Sequence, residues 1–322
     1  MNKYMLTEDQ LSIQELAKKF ADEVVAATVT DLDRKHEFPL EEVKQCGEMG
    51  FLGICVPEEY GGAGMDHLSD VLVMEQIARH SSSLASIIDA HASLGSTPLL
   101  LAGTEEQKQK YLAPAASGQA LCAFALTEPQ SGSDAGQIRT KAVLDGDEWV
   151  INGSKAFITN STYATTFLVA AKTDMEAKGS RGISIFIVPA GTPGFEVGKP
   201  EEKMSNRSSY SCPLTFTDVR IPKENLLGEL NRGFPLFMKC IDDGRVAISA
   251  VAVGMAQGVL ERAAKYSKER VTFGKPICEN QAIAFKLAEM ATQIDVARAM
   301  LYNTARMSDN GVPFSKEATM TK

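Results

Sequence analysis

Two short strings hold most of the residues that could do chemistry. The first is Leu126-Thr127-Glu128-Pro129-Gln130-Ser131-Gly132-Ser133-Asp134, which reads as the end of a strand and a loop bearing Pro, Gly, hydroxyls and exposed amides. Such a loop can hydrogen-bond a polar heterocycle or a diphosphate. It can also be a hairpin loop whose side chains are simply solvated. The second string is Asn152-Gly153-Ser154-Lys155-Ala156-Phe157-Ile158-Thr159-Asn160. Its Asn-Gly pair supplies a hairpin turn, and the strand after it places Phe157 and Thr159 on one face, with period two. An aromatic ring and a hydroxyl on one face can stack on and hydrogen-bond a planar ligand. They can equally be a core Phe and a capping Thr. No metal is expected: Cys46, Cys55, Cys122, Cys212, Cys240 and Cys278 form no CxxC pair and no zinc spacing, and His36, His67, His80 and His91 are scattered.

The elements that must carry these strings change character along the chain. Residues 1 to about 120 read as helical. Thr7-Glu8-Asp9-Gln10 and Thr104-Glu105-Glu106-Gln107 have the form of a capping box, in which two orphan amides are satisfied reciprocally. Behind the first, Ile13, Leu16, Ala17, Phe20 and Val24 recur at three- and four-residue steps, one face of an amphipathic helix. Pro39, Pro57 and the Gly61-Gly62-Ala63-Gly64 turn divide the later helices. Short β-rich runs follow at 120–126, 148–152, 156–159, 166–170, 183–188 and 213–217, separated by Asp145-Gly146-Asp147, Asn152-Gly153 and Thr192-Pro193-Gly194. Helix returns over 237–267 and 281–307, the second with Ile283, Leu287, Met290, Ile294, Ala297 and Leu301 on one face. Asn310-Gly311 reads as its C-cap, and a further helix begins near Phe314.

The expected fold is therefore α+β and multidomain. An all-α domain spans 1–120, a middle antiparallel β-barrel or sandwich spans 121–230, and the first part of a C-terminal α-helical bundle spans 231–322. Two long apolar helices do not close a bundle. The bundle is read as incomplete, with the face bearing Ile283, Leu287, Met290 and Ile294 partly uncovered.

Composition narrows the function classes. With 322 residues, 44% of them apolar and 23% charged, the chain can bury a substantial core. A formal charge of −8 disfavours nucleic acid, which wants clustered Lys and Arg. The 33 basic residues can still build a local site for a phosphate-bearing small ligand. No charged-then-apolar leader opens the chain and no run approaches a membrane span, so no membrane is expected. Reduced thiols then point to a cytoplasmic setting.

The two strings are more specific together than apart. Leu-Thr-Glu-Pro-x-x-Gly-Ser-Asp followed by Asn-Gly-x-Lys-x-(aromatic)-Ile-Thr-Asn resembles the flavin-binding pair of the acyl-CoA dehydrogenase family. Pro57-Glu58-Glu59-Tyr60-Gly61-Gly62, Phe216-Thr217-Asp218-Val219-Arg220-Ile221-Pro222, Gly254-Met255-Ala256-Gln257 and Arg270-Val271-Thr272-Phe273-Gly274-Lys275-Pro276-Ile277 follow the family's order, and the likeness is to bacterial short-chain, butyryl-CoA-like members. The resemblance implies FAD as cofactor, acyl-CoA as substrate, an electron-transfer flavoprotein as partner, and a homo-oligomer that is a dimer of dimers when complete. It assigns the loop 124–133, with Phe124 and Leu126, to the isoalloxazine and the adjoining thioester. Thr127 would bond the ring edge and Ser133 would face both FAD and CoA. Phe157, Ile158 and Thr159 would cover the other flank. Arg270 and Phe273 match contacts to the FAD diphosphate and adenosine, commonly those of a neighbouring subunit, and Asn280 and Gln281 match an adenine-side contact. Asp242 and Arg245 match acyl-CoA contacts. For Arg270 an ion pair with Glu269 or Glu279 is the alternative.

The implied reaction takes a proton from the α-carbon of an acyl thioester and a hydride from the β-carbon, giving a trans-2-enoyl-CoA. Most of the family draws its base from a Tyr-Glu-Gly-Thr string near the C-terminus, which these residues lack. A minority place a Glu just before the Arg equivalent to Arg245, where this chain has Gly244. No catalytic residue is therefore assigned. The chain is expected to stop before that segment, which leaves a fragment that binds FAD and acyl-CoA without useful turnover as the rival reading. A monooxygenase of the same fold is a third, disfavoured by Asp242 and Arg245. Met204-Ser205-Asn206-Arg207-Ser208-Ser209 departs from a Gly-rich family loop, narrowing the backbone there.

Overall fold

A computed structural model describes residues 3–322, which fold as two compact units. One gathers the described residues up to 31, with 66–86 and 245–322; the other gathers 32–65 and 87–244. The helices are α1 Glu8–Phe20, α2 Ala26–Lys35, α3 Leu40–Glu48, α4 His67–Ala78, α5 Ser82–Asp89, α6 Thr97–Ala102, α7 Glu105–Gln107, α8 Ala113–Ala116, α9 Gly233–Glu269, α10 Gln281–Asp309 and α11 Ser315–Thr321. The first unit is helical. Both capping boxes form as expected: Thr7 and Gln10 close α1, and in the second unit Thr104 and Gln107 close α7. In the first unit α9 meets α4 at Gly254 and Gly258. A Cβ on Gly254 would lie 2.3 Å from the Glu75 carbonyl oxygen, and one on Gly258 would lie 2.1 Å from that of Arg79. Glycine is needed there for close backbone approach rather than for a turn.

The second unit is built on one sheet. Its strands are β1 Leu121–Ala125, β2 Lys141–Asp145, β3 Glu148–Thr159, β4 Ala164–Lys172, β5 Ile183–Pro189, β6 Phe195–Val197, β7 Ser211–Pro222 and β8 Leu226–Leu227. The order is β6-β7-β3-β2-β4-β5-β8, with β1 on β4. Most pairs are antiparallel, but β1 runs parallel to β4 and β2 meets β4 in parallel at Lys141, so the expected antiparallel domain is a mixed sheet. Phe167, Val169, Phe186 and Val188 pack with Trp149, Ile151, Leu214 and Phe216 on one side. Leu168, Ala170, Ile185 and Ile187 pack with Leu99, Leu112 and Phe237 on the other. Burial on both faces explains why 183–188 is continuously apolar rather than alternating.

Two further expectations are corrected. Asn152-Gly153 makes no hairpin turn; β3 runs straight through it, paired with β7, and the register shifts between Ile151 and Gly153 and again between Lys155 and Ile158. Gly153 has φ +150° and its missing Cβ would meet Thr140 Oγ1 at 2.5 Å, so the glycine serves a bulge where the segment at Thr140 comes close. Helical stretches 82–102 and Gly233–Glu269 are also long and apolar enough to cross a membrane, against the expectation that none is. In the first most of the apolar window is buried within the protein, and a helix apolar all round can serve as a core helix.

Candidate functional site

The two strings meet in the second unit. The first leaves β1 at Ala125 and turns at Glu128 and Ser131, whose backbones bond each other both ways at 3.0 Å. Ser131 Oγ then donates to the Asp134 carbonyl at 2.6 Å. The second string lies beside it: the Ala156 amide donates to the Thr127 carbonyl at 2.9 Å. Lys155 Nζ donates to the Leu126 carbonyl at 3.1 Å and to Glu128 Oε1 at 2.7 Å. Neither charged side chain reaches solvent, with exposures of 0% for Lys155 and 2% for Glu128. The Glu128 carboxylate also accepts from the Arg139 amide at 2.6 Å, the Thr140 amide at 3.0 Å and Gln130 Nε2 at 2.6 Å. Burial alone would raise Glu128, but Lys155 and these amides hold it below the usual carboxylate range. Burial brings Lys155 down to about 8, so both partners are charged at neutral pH.

The predicted contact residues divide by exposure. Phe157 is neither core nor flat strand: its ring is 65% exposed at a left-handed φ of +59°, a costly backbone for an aromatic residue and one that concentrates at ligand sites. Thr159 is half-buried, with Oγ1 at 3.4 Å from Ser211 Oγ. Thr127 is half-buried and its hydroxyl has no partner among the described residues. Ser133 is exposed, and a Cβ on neighbouring Gly132 would meet nothing within 4 Å. Leu126 and Ile158 are buried at 6% and 2%, which leaves their backbones, not their side chains, to meet a ligand. Phe124 is half-buried and packs edge-on against Phe237 at 4.1 Å. An outward ring, open hydroxyls and open space beside Gly132 suit a planar heterocycle such as a flavin ring.

β1 is seated by a buried histidine. His91 Nδ1 accepts from the Cys122 amide at 3.0 Å and Nε2 donates to the Ala115 carbonyl at 3.2 Å. Burial lowers its pKa to about 4. The unfolded chain binds this proton near pH 6.5 and the folded one near 4, so falling pH favours unfolding across that window. We expect urea midpoints to lose about 3 kcal/mol of stability between those limits, and His91→Gln to flatten that part of the profile. An unchanged slope in the variant would assign the acid sensitivity to other groups.

The remaining predicted residues lie elsewhere. Asp242 and Arg245 are half-buried and one turn apart on α9. Between them Gly244 is buried, and a Cβ there would come within 3.2 Å of Leu94 Cδ2 and 3.3 Å of Ser93 Oγ. In the first unit, β9 Val271–Thr272 and β10 Lys275–Pro276 form a hairpin whose turn residues Phe273 and Gly274 have φ of +51° and +76°. Phe273 is fully exposed, Arg270 is exposed, and Arg270 makes no ion pair with Glu269 or Glu279. Asn280 stands at the N-cap position of α10 with its side-chain amide donating back to the Ile277 carbonyl at 3.2 Å, and Gln281 opens the helix, exposed. Met255, Ala256, Val259, Met290, Gln293, Ile294 and Ala297 line an apolar groove of about 460 Å³ on the same unit. No cluster of metal-ligating side chains occurs among the described residues.

Comparison with known proteins gives the site its context. Three family models match: the acyl-CoA dehydrogenase N-terminal domain over residues 7–119, the middle domain over 123–219 and the C-terminal domain over 231–322. The chain is 46% identical over 319 residues to the probable acyl-CoA dehydrogenase YngJ of Bacillus subtilis (strain 168), covering 99% of this chain and 84% of that one. It is 44% identical to the caffeyl-CoA reductase-Etf complex subunit CarC of Acetobacterium woodii, covering 98% and 83%. It superimposes on the butyryl-CoA dehydrogenase of Megasphaera elsdenii with a TM-score of 0.96 at 41% identity, again covering 98% and 83%.

Proposed function

The chain belongs to the acyl-CoA dehydrogenase family, and on that premise we propose that it oxidises a short-chain acyl-CoA to the trans-2-enoyl-CoA, using FAD and passing electrons to an electron-transfer flavoprotein. It is an oxidoreductase, and its family uses FAD. The observation that carries the proposal is the joining of the two strings, with Phe157 turned outward beside the hydroxyl-bearing loop. Butyryl-CoA as the substrate of one relative supports a short acyl chain, and the Etf complex of another supports the electron acceptor. Matches to all three domain models leave the non-catalytic fragment reading without support. A homotetramer, typical of the family, and a cytoplasmic setting, in keeping with six free cysteines, complete the reading.

When bound, FAD supplies the hydride acceptor. The side chains then divide the remaining work. Thr127 would bond the ring edge, Phe157 and Thr159 would cover the other flank, and Ser133 would face both FAD and the CoA side. Asp242 and Arg245 hold acyl-CoA. Leu126 packs in one buried cluster with Phe237, which keeps water from the inner side of the loop. Arg270, which has no ion pair among the described residues, would be available to an FAD diphosphate, commonly a neighbouring subunit's.

The cofactor assignment is tested by extraction and titration. Flavin recovered from the protein should be FAD, and FMN alone would overturn the assignment. Arg270→Ala should weaken FAD binding by about 1.5–3 kcal/mol, the worth of a charge-assisted hydrogen bond. Unchanged affinity in a folded variant would remove Arg270 from the site.

A further inference from the structure

The geometry points to the buried Glu128–Lys155 pair as the clasp that positions the flavin-facing strings, so that the site is ordered before the cofactor arrives. This rests on the flavin reading above and adds two positioning residues to it. The two residues that form the pair lie inside the strings but face away from the proposed ligand. Glu128 holds its own loop through the Gln130 side chain and the amides of Arg139 and Thr140, at 2.6, 2.6 and 3.0 Å. Lys155 crosses to it from β3 at 2.7 Å and takes the Leu126 carbonyl at 3.1 Å. The next peptide adds the Ala156 amide on the Thr127 carbonyl at 2.9 Å. Every residue of 126–128 is therefore bonded to Lys155 or Ala156, and the residue immediately after them is Phe157.

The energetics argue for position rather than stability. Desolvating two ions costs several kcal/mol, and apolar side chains of similar volume often serve a fold equally well. What an ion pair adds is a fixed register, because its geometry tolerates little slip. Thr127 and Phe157 must be held together at hydrogen-bond and stacking precision, and neither can do so itself: Thr127 offers a hydroxyl without a partner among the described residues, and Phe157 sits at a strained left-handed φ on a bulge. The pair fixes the loop to β3 at the residue where the bulge begins. Neither Glu128 nor Lys155 is a catalytic residue, since both are sealed from the surface that a ligand would touch.

The test compares wild type with the charge-neutral double variant Glu128→Gln/Lys155→Met, which keeps the volume and removes both ions. The probe is FAD alone. The clasp predicts a double variant that melts cooperatively yet binds FAD at least roughly tenfold more weakly, with the fine structure of its bound-flavin absorption band blurred toward that of free flavin. A merely structural pair would leave that spectrum unmoved. A folded double variant with wild-type affinity and spectrum overturns the clasp and leaves the flavin reading intact. Wild type that takes up no flavin overturns both. Should the double variant not fold, hydrogen exchange on flavin-free wild type decides. Amides of Arg139, Thr140 and Ala156 already protected roughly a hundredfold, and no further by FAD, support the clasp; protection that appears only with FAD overturns it.

Discussion

Arg298→Met is expected to cost about 3–5 kcal/mol, because it leaves a buried carboxylate without its cation. Arg298 on α10 donates Nε to Glu75 Oε1 at 2.8 Å and Nη2 to Gln257 Oε1 on α9 at 2.9 Å. Tyr302 donates its hydroxyl to Glu75 Oε2 at 2.8 Å. Glu75 is 3% exposed and Arg298 11%. One guanidinium thus ties α10 to α4 and α9, and α9 and α10 are the two long helices that lead into and out of the hairpin bearing Arg270 and Phe273. Urea unfolding should show the loss, and Glu75→Gln in the Arg298→Met background should recover part of it by removing the stranded charge. A loss below about 1 kcal/mol, the worth of an exposed pair, would contradict the account.

Gly258→Ala should cost about 3 kcal/mol, at the top of the range for overpacking. The added methyl would lie 2.1 Å from the Arg79 carbonyl oxygen and 2.9 Å from its carbon. These are backbone atoms, so no rotamer change relieves the clash; α9 must move away from α4. Gly254→Ala acts one turn earlier against the Glu75 carbonyl at 2.3 Å, and its effect should couple to that of Arg298→Met through the shared residue. The check is thermal melting of each single and the pair. Wild-type melting of both glycine variants would show that the helices have room to spare.

What could be read from sequence was local. Both capping boxes, the hairpin at Gly146 and the turn at Gly194 depend on residues a few positions apart, and they formed as read. The parallel pairing of β1 with β4 joins Leu121 to Ala164, too far along the chain for a turn signal to announce. Asn152-Gly153 misled because Asn-Gly serves bulges as well as turns, and the choice was made by β7, which pairs across both halves of β3. The candidate contacts were legible as motif positions, but not which atoms they offer: Ile158 and Leu126 spend their side chains in the core. The clasp was missed because Glu128 and Lys155 look like solvated charges. One signal was present: the two-residue period of Trp149 and Ile151 runs on to Lys155, a lysine on a buried phase.

The central claim is tested most directly by mixing butyryl-CoA, without oxygen, with the FAD-loaded protein expressed from its own gene. The account predicts that the visible absorption band of the oxidised flavin bleaches as the enoyl thioester appears in equal amount. Bound FAD whose band stays unbleached at saturating butyryl-CoA would contradict it.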